Sequence, residues 1–204
     1  MKKIRLALAI LMSSFVCVAA QPLTRPAILQ WSKKAIVKSP DGQLQIEVHP
    51  ILTDQDNHSP VVVHRRYDGR EWALFTLTRV ADVLWEADGN RILVIDEPTA
   101  NDYDVHLYSS DGKRTELDTD GMIRSTVARL LGPDRKLEFY LPTFLSWEDA
   151  DLVIAVGGAS SRGMPLPMQS LPMKSFCFAV HVDSVSGRVL SANKLFSSRC
   201  RLSP

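Results

Sequence analysis

The chain has 204 residues, 45% of them hydrophobic and 23% charged, with 24 basic side chains against 23 acidic ones and a formal net charge of +1. So even a balance argues against a nucleic-acid binder, which needs a strongly basic face. The length suits a single domain with a core of its own.

Residues 1–20 read as an export signal. Lys2, Lys3 and Arg5 make a basic head, an apolar run follows, and Val18, Ala19 and Ala20 are small residues ahead of a cut at Gln21. The run, about 13 residues long, is too short for a comfortable membrane span. Cys17 does not mark a lipoprotein site, because bulky Phe15 and Val16 precede it, and it leaves with the signal. Cleavage removes three basic residues and no acidic one, so the net charge of residues 21–204 becomes −2. The expected product is one β-rich domain, soluble in the periplasm or, alternatively, secreted. No later segment has membrane-spanning length, so no membrane insertion is expected.

Strand patterns then dominate. Residues 43–49 alternate strictly, with Leu44, Ile46 and Val48 on one face. Residues 91–95 are a short, continuously apolar strand. In 176–183, Phe176, Phe178, Val180 and Val182 share one face, while Cys177, Ala179 and His181 share the other. Asp41-Gly42, Asp68-Gly69, Asp88-Gly89, Asp111-Gly112 and Ser186-Gly187 lie between apolar runs and supply the positive backbone angles of tight hairpins. Ile123, Val127, Leu130 and Leu131 recur at helical spacing before Gly132-Pro133, which predicts one helix of about three turns near 121–131.

A unit recurs along the chain: an aspartate turn, a strand, a variable connection, a second strand, another turn and a closing strand. The first copy reads VKSPDGQLQIEV and VVVHRRYDGREWALFTL, the second LWEADGNRILVI and DVHLYSSDGKRTEL. A degraded third reads LSWEDADLVIAV and CFAVHVDSVSGRVL. With Ser39, Asp41 and Gly42, Tyr67 to Gly69, Glu86 to Gly89, and Tyr108 to Gly112, the pattern resembles the four-stranded blade of WD40-like propellers of the TolB type. The likeness covers 34–117 well and 143–195 in weakened form. It implies an all-β fold of three blade-like antiparallel sheets, an open and incomplete propeller with one short helix; the alternative is a β-sandwich. Closed propellers have at least four blades.

Cys177 and Cys200 remain after signal removal. An isolated pair in an oxidising compartment is expected to be bonded, tying the tail to the last sheet. Closing a loop of that length is worth roughly 3 kcal/mol on the chain-entropy estimate.

The stretch GGASSRGMPLPMQSLPM, residues 157–173, is the candidate partner-binding loop, with Ser160, Ser161, Arg162, Met164, Leu166 and Met168 as contact residues. Its prolines reduce the unbound ensemble, so docking costs less ordering entropy. The serines are not a hydrolase elbow: Pro165, Pro167 and Pro172 forbid the helix that must follow, and only His181 lies downstream. Met164, Met168 and Met173 carry soft thioethers suited to copper(I), but they are loosely spaced with no histidine among them. The acidic stretch 96–104 lacks the ligand alternation of a calcium loop and reads as a solvated connection. The five histidines are scattered without zinc-site spacing, so no metal and no cofactor is expected.

The expectation is a non-catalytic, exported protein-binding module whose partner is another protein. In size, compartment and architecture it resembles the small β-rich periplasmic immunity proteins that neutralise cell-wall-degrading toxins. That resemblance includes the amidase-inhibiting kind, in which a serine-bearing loop enters the toxin's cleft, and implies a periplasmic toxin as partner. A TolB-like envelope scaffold is the alternative; a hydrolase or a copper-binding protein comes behind both.

Overall fold

The computed structural model describes residues 25–50, 58–99, 102–110, 119–148, 151–162, 173–196 and 200. Twelve strands and one helix are found among them. The strands form three four-stranded antiparallel sheets, none closed into a barrel.

The first sheet is a meander of β2 (Ile36–Lys38), β3 (Leu44–Val48), β4 (Ser59–Arg65) and β5 (Glu71–Leu77). The second has the order β1-β6-β7-β8, from β1 (Ala27–Gln30), β6 (Val80–Trp85), β7 (Arg91–Thr99) and β8 (Asp102–Ser109). The third runs β9 (Arg135–Glu148), β10 (Asp151–Arg162), β11 (Lys174–Asp183) and β12 (Val189–Lys194). The three sheets correspond to the three sequence copies, with one substitution of parts. The stretch expected to close the second copy lies outside the described residues, and β1 supplies that sheet's fourth strand by pairing Ala27 with Val83 and Gln30 with Val80. Three sheets also set aside the two-sheet sandwich.

The repeated turns form the same hydrogen bonds. Gly42 N–H donates to the Ser39 carbonyl and Gly89 N–H to the Glu86 carbonyl, each at 2.9 Å. Asp41 and Asp88 then accept from the N–H two residues on, Gln43 and Asn90. Gly42 and Gly89 have φ of 70° and 76°, which an L side chain rarely adopts. The second turns match as well: Gly69 N–H reaches the Arg65 carbonyl, and Gly187 N–H the Asp183 carbonyl. The degraded third copy therefore keeps its hairpin although Ser186 stands where the first copy has Asp68.

The second sheet lies between the other two. Ala81, Val83, Trp85, Ile92, Val94 and Tyr108 pack with Ile46, Val48, Val61 and Val63 of the first sheet. Their alternates Leu84, Leu93, Ile95, Val105 and Leu107 pack with Leu152, Ile154, Val156, Phe178 and Val180 of the third. Both faces are covered, which is why 92–95 is apolar at every position rather than at every second one.

The helix α1 (Thr119–Leu131) adds Ile123 and Val127, both fully buried, to the core shared by the second and third sheets. Leu130, expected on that stripe, is 44% exposed. Gly132, at φ 93°, ends the helix, with its N–H shared between the carbonyls of Ala128 and Arg129. Arg124 clamps the helix in place: it donates to Asp120 and to the Tyr103 carbonyl, and its guanidinium lies 4.2 Å from the centre of the Tyr140 ring. Tyr140 O–H completes the set by donating to Asp120 at 3.2 Å.

The acidic stretch 96–104 is corrected by the structure. Its described residues extend β7 and β8 rather than form a solvated connection, and Asp96 pairs with Asp104 across the ladder. Asp96 is 8% exposed.

Candidate functional site

The end of the third sheet carries the predicted recognition residues. β10 pairs with β11 as far as Ser160 and with β9 through Arg162, so 157–162 is strand rather than loop. Ser160 is fully buried; its hydroxyl faces the Lys174 carbonyl at 3.3 Å and accepts from Arg135 at 3.2 Å. Ser161, also buried, donates to the Glu138 carboxylate at 2.6 Å. Both hydroxyls are used inside the sheet. Arg162 closes the strand and is exposed. Met164, Leu166 and Met168 lie outside the described residues.

The serines are also remote from the downstream histidine. His181 pairs with Val153, whereas Ser160 pairs with Lys174, seven residues farther along β10. At about 3.3 Å per residue the gap is roughly 23 Å. A Ser–His pair does not form here.

Cys177 and Cys200 are bonded, with Cα atoms 5.8 Å apart, and with Ala155 they make a small core on the outer face of the third sheet. Leu195 N–H donates to the Cys177 carbonyl at 2.9 Å, laying the tail along β11. Beside this tether opens a cleft of about 460 Å³, lined by Ser175, Phe176, Cys177, Lys194, Leu195 and Phe196. Phe196 is 86% exposed and Met173, at the same end of the sheet, 68%.

A second cleft, about 430 Å³, opens between the first and second sheets, lined by Pro60, Phe75 and Thr76 on one side and Asp96, His106 and Tyr108 on the other. Ile92, Val94 and Asp96 share one face of β7, so the carboxyl continues an apolar row to its end. Burial, followed by the nearby Asp104 charge, raises the Asp96 pKa to about 6. Its Oδ1 has no hydrogen-bond partner among the described residues.

Two histidines that look scattered in the sequence meet in space. His49 and His64 lie on the outer face of the first sheet, ring centres 5.9 Å apart, with Glu47 between them. Alternation along 43–49 already puts Glu47 and His49 on the face opposite Leu44, Ile46 and Val48. The contribution of His64 needs the β3–β4 register, which sets it across from Gln45. That register depends on the whole hairpin and is not written in local spacing.

Compared with protein-family models, curated proteins and solved structures, the chain has no match. The functional reading rests on the geometry.

Proposed function

We propose that this chain is a non-catalytic protein-binding module of the cell envelope, its three sheets acting as blades of an open propeller. The docking surface is the tail-side end of the third sheet. One observation carries the reading: the large apolar side chain of Phe196 stands in solvent at a concave cleft that it helps to line, and exposed Met173 lies at the same end of the sheet. An exposed apolar group at a concavity is a usual mark of a protein contact, and aromatic anchors supply much of its energy. The disulfide fixes the tail that presents Phe196, so little ordering is left for docking. Export to the periplasm fits that bond.

The particular partner proposed is a cell-wall-degrading toxin, which makes the chain an immunity protein. Ser160 and Ser161 then act as struts that hold the strand end, and Arg162 is the polar group offered to the partner. The experiment is capture of toxin candidates encoded beside this gene by the purified mature chain, with an assay of peptidoglycan hydrolysis. Inhibition that is lost in Phe196→Asp and kept in Tyr67→Asp, at a distant exposed site, supports the reading. Equal inhibition by both variants moves the interface elsewhere. No capture by the intact chain defeats the immunity assignment.

A further inference from the structure

We propose that Glu47, His49 and His64 form a binding site for a divalent transition-metal ion of the zinc type, with a coordination position left open. The three side chains belong to β3, the residue just after it, and β4, on the face turned away from the second sheet. Each offers one ligand atom, and these atoms all lie within 4.8 Å of one another. Two imidazole nitrogens and one carboxylate oxygen form a donor set suited to zinc and its neighbours, and unsuited to magnesium or calcium, which prefer oxygen throughout.

The spacing fits the ion. Both Nε2 atoms approach the same Glu47 oxygen, Oε2, at 3.2 Å from His49 and 3.4 Å from His64. Ligands about 2.0–2.1 Å from a tetrahedral centre sit roughly 3.3 Å apart. The two imidazole–carboxylate distances are those of a coordination shell, and the third pair lies within 4.8 Å.

The surrounding contacts orient these groups. Gln45 donates to the other Glu47 oxygen, Oε1, at 3.3 Å, leaving Oε2 turned toward the imidazoles. On the far side of its ring, His64 Nδ1 lies 3.2 Å from Glu71 Oε2. A carboxylate that accepts Nδ1–H fixes the tautomer and leaves a lone pair on Nε2, the arrangement usual for metal-bound histidine. That lone pair faces an acceptor oxygen. His64 Nε2 is buried and lacks a hydrogen-bond partner, so nothing in the described structure relieves two acceptors held face to face. A cation between them would. His49 is 45% exposed, which leaves a path for the ion and for a fourth ligand, water or a donor atom from a bound molecule.

The rival arrangement is a doubly protonated His64 clamped between Glu47 and Glu71. The two differ in what they bind. Untagged, metal-stripped protein is titrated with Zn²⁺ by calorimetry against a competing chelator and with Co²⁺ by visible absorption, with circular dichroism as a check of folding. One equivalent of each metal is expected, with a Co²⁺ spectrum of low coordination number and no comparable binding of Ca²⁺. His49→Ala, at an exposed position, and His64→Gln should each weaken Zn²⁺ at least 100-fold, while Glu71→Gln should weaken it about 10- to 100-fold by releasing the His64 ring. His181→Ala, on the third sheet, should change nothing. Absence of a stoichiometric site, equal Ca²⁺ binding, or Zn²⁺ affinity unchanged in folded His49→Ala would each overturn the proposal. The result is independent of whether the third sheet docks a partner.

Discussion

Gly158 is a position where one methyl group decides packing. A Cβ built there would lie 2.0 Å from the Phe139 carbonyl oxygen and 2.6 Å from the Phe176 ring, one of them backbone that cannot swing aside. Gly158→Ala should lower the unfolding free energy by about 2–3 kcal/mol, the upper part of the usual range for overpacking, read as a fall in urea midpoint. Asp96 acts in the opposite sense. Its folded pKa, about 6, lies above that of an unfolded aspartate, so between roughly pH 4 and 6 the folded chain holds a proton that the unfolded chain lacks. Its contribution is therefore most favourable below pH 4 and is lost as pH rises through 6. Asp96→Asn should stabilise the protein at pH 8 by about 1–2 kcal/mol and do little at pH 4, measured by urea unfolding at both values. The sequence pattern makes 96–104 look solvated because it is rich in acids. What it omits is that the β7–β8 ladder continues past the apolar run and carries Asp96 under the first sheet.

At the scale of elements, turn chemistry was the most readable layer. Asp41-Gly42 and Asp88-Gly89 announce their hairpins because positive φ and a side-chain acceptor are both demanded locally. The helix was readable for the same reason, since Ile123, Val127 and Gly132 are spaced by one element's own geometry. Residues 157–162 were not. Two glycines and two serines look like a connection, yet β9 pairs with all four and β11 with the first three of these as far as Ser160, and the buried hydroxyls find partners in Lys174 and Glu138. The long edge strand β9 carries Pro142 and two register shifts against β10, at Val153/Ile154 and Ala159/Ser160, features that discourage pairing with another chain. The disulfide ties the tail to β11 across 23 residues of sequence. Cys200→Ser should cost about 2–4 kcal/mol, and reductant should cost the intact chain a similar amount while leaving the variant unchanged.

Across the whole molecule, the second sheet couples the other two. Its faces complete both large cores, so neither outer sheet has a hydrophobic interior without it. Leu29, fully buried on β1, belongs to the core shared with the first sheet although its strand pairs with β6. Leu29→Ala should cost about 2–5 kcal/mol, and fluorescence of the tryptophans should report one unfolding transition together with circular dichroism. Separate transitions would mean that the sheets melt independently. The membership of β1 could not be read from AILQ, because nothing local distinguishes its pairing with β6 from a neighbouring hairpin.

The pairing of β1 with β6 also governs the order in which the protein can be finished. A chain appearing N-terminus first presents Leu29 some fifty residues before its hydrogen-bonding neighbours, an interval of roughly 3–10 s at ribosomal speed. Throughout that wait the short strand stays bare while the whole β2–β5 meander can assemble beside it. A holdase that recognises exposed apolar segments would find its most lasting handle there, in the first described strand to emerge and the one farthest in sequence from its partner.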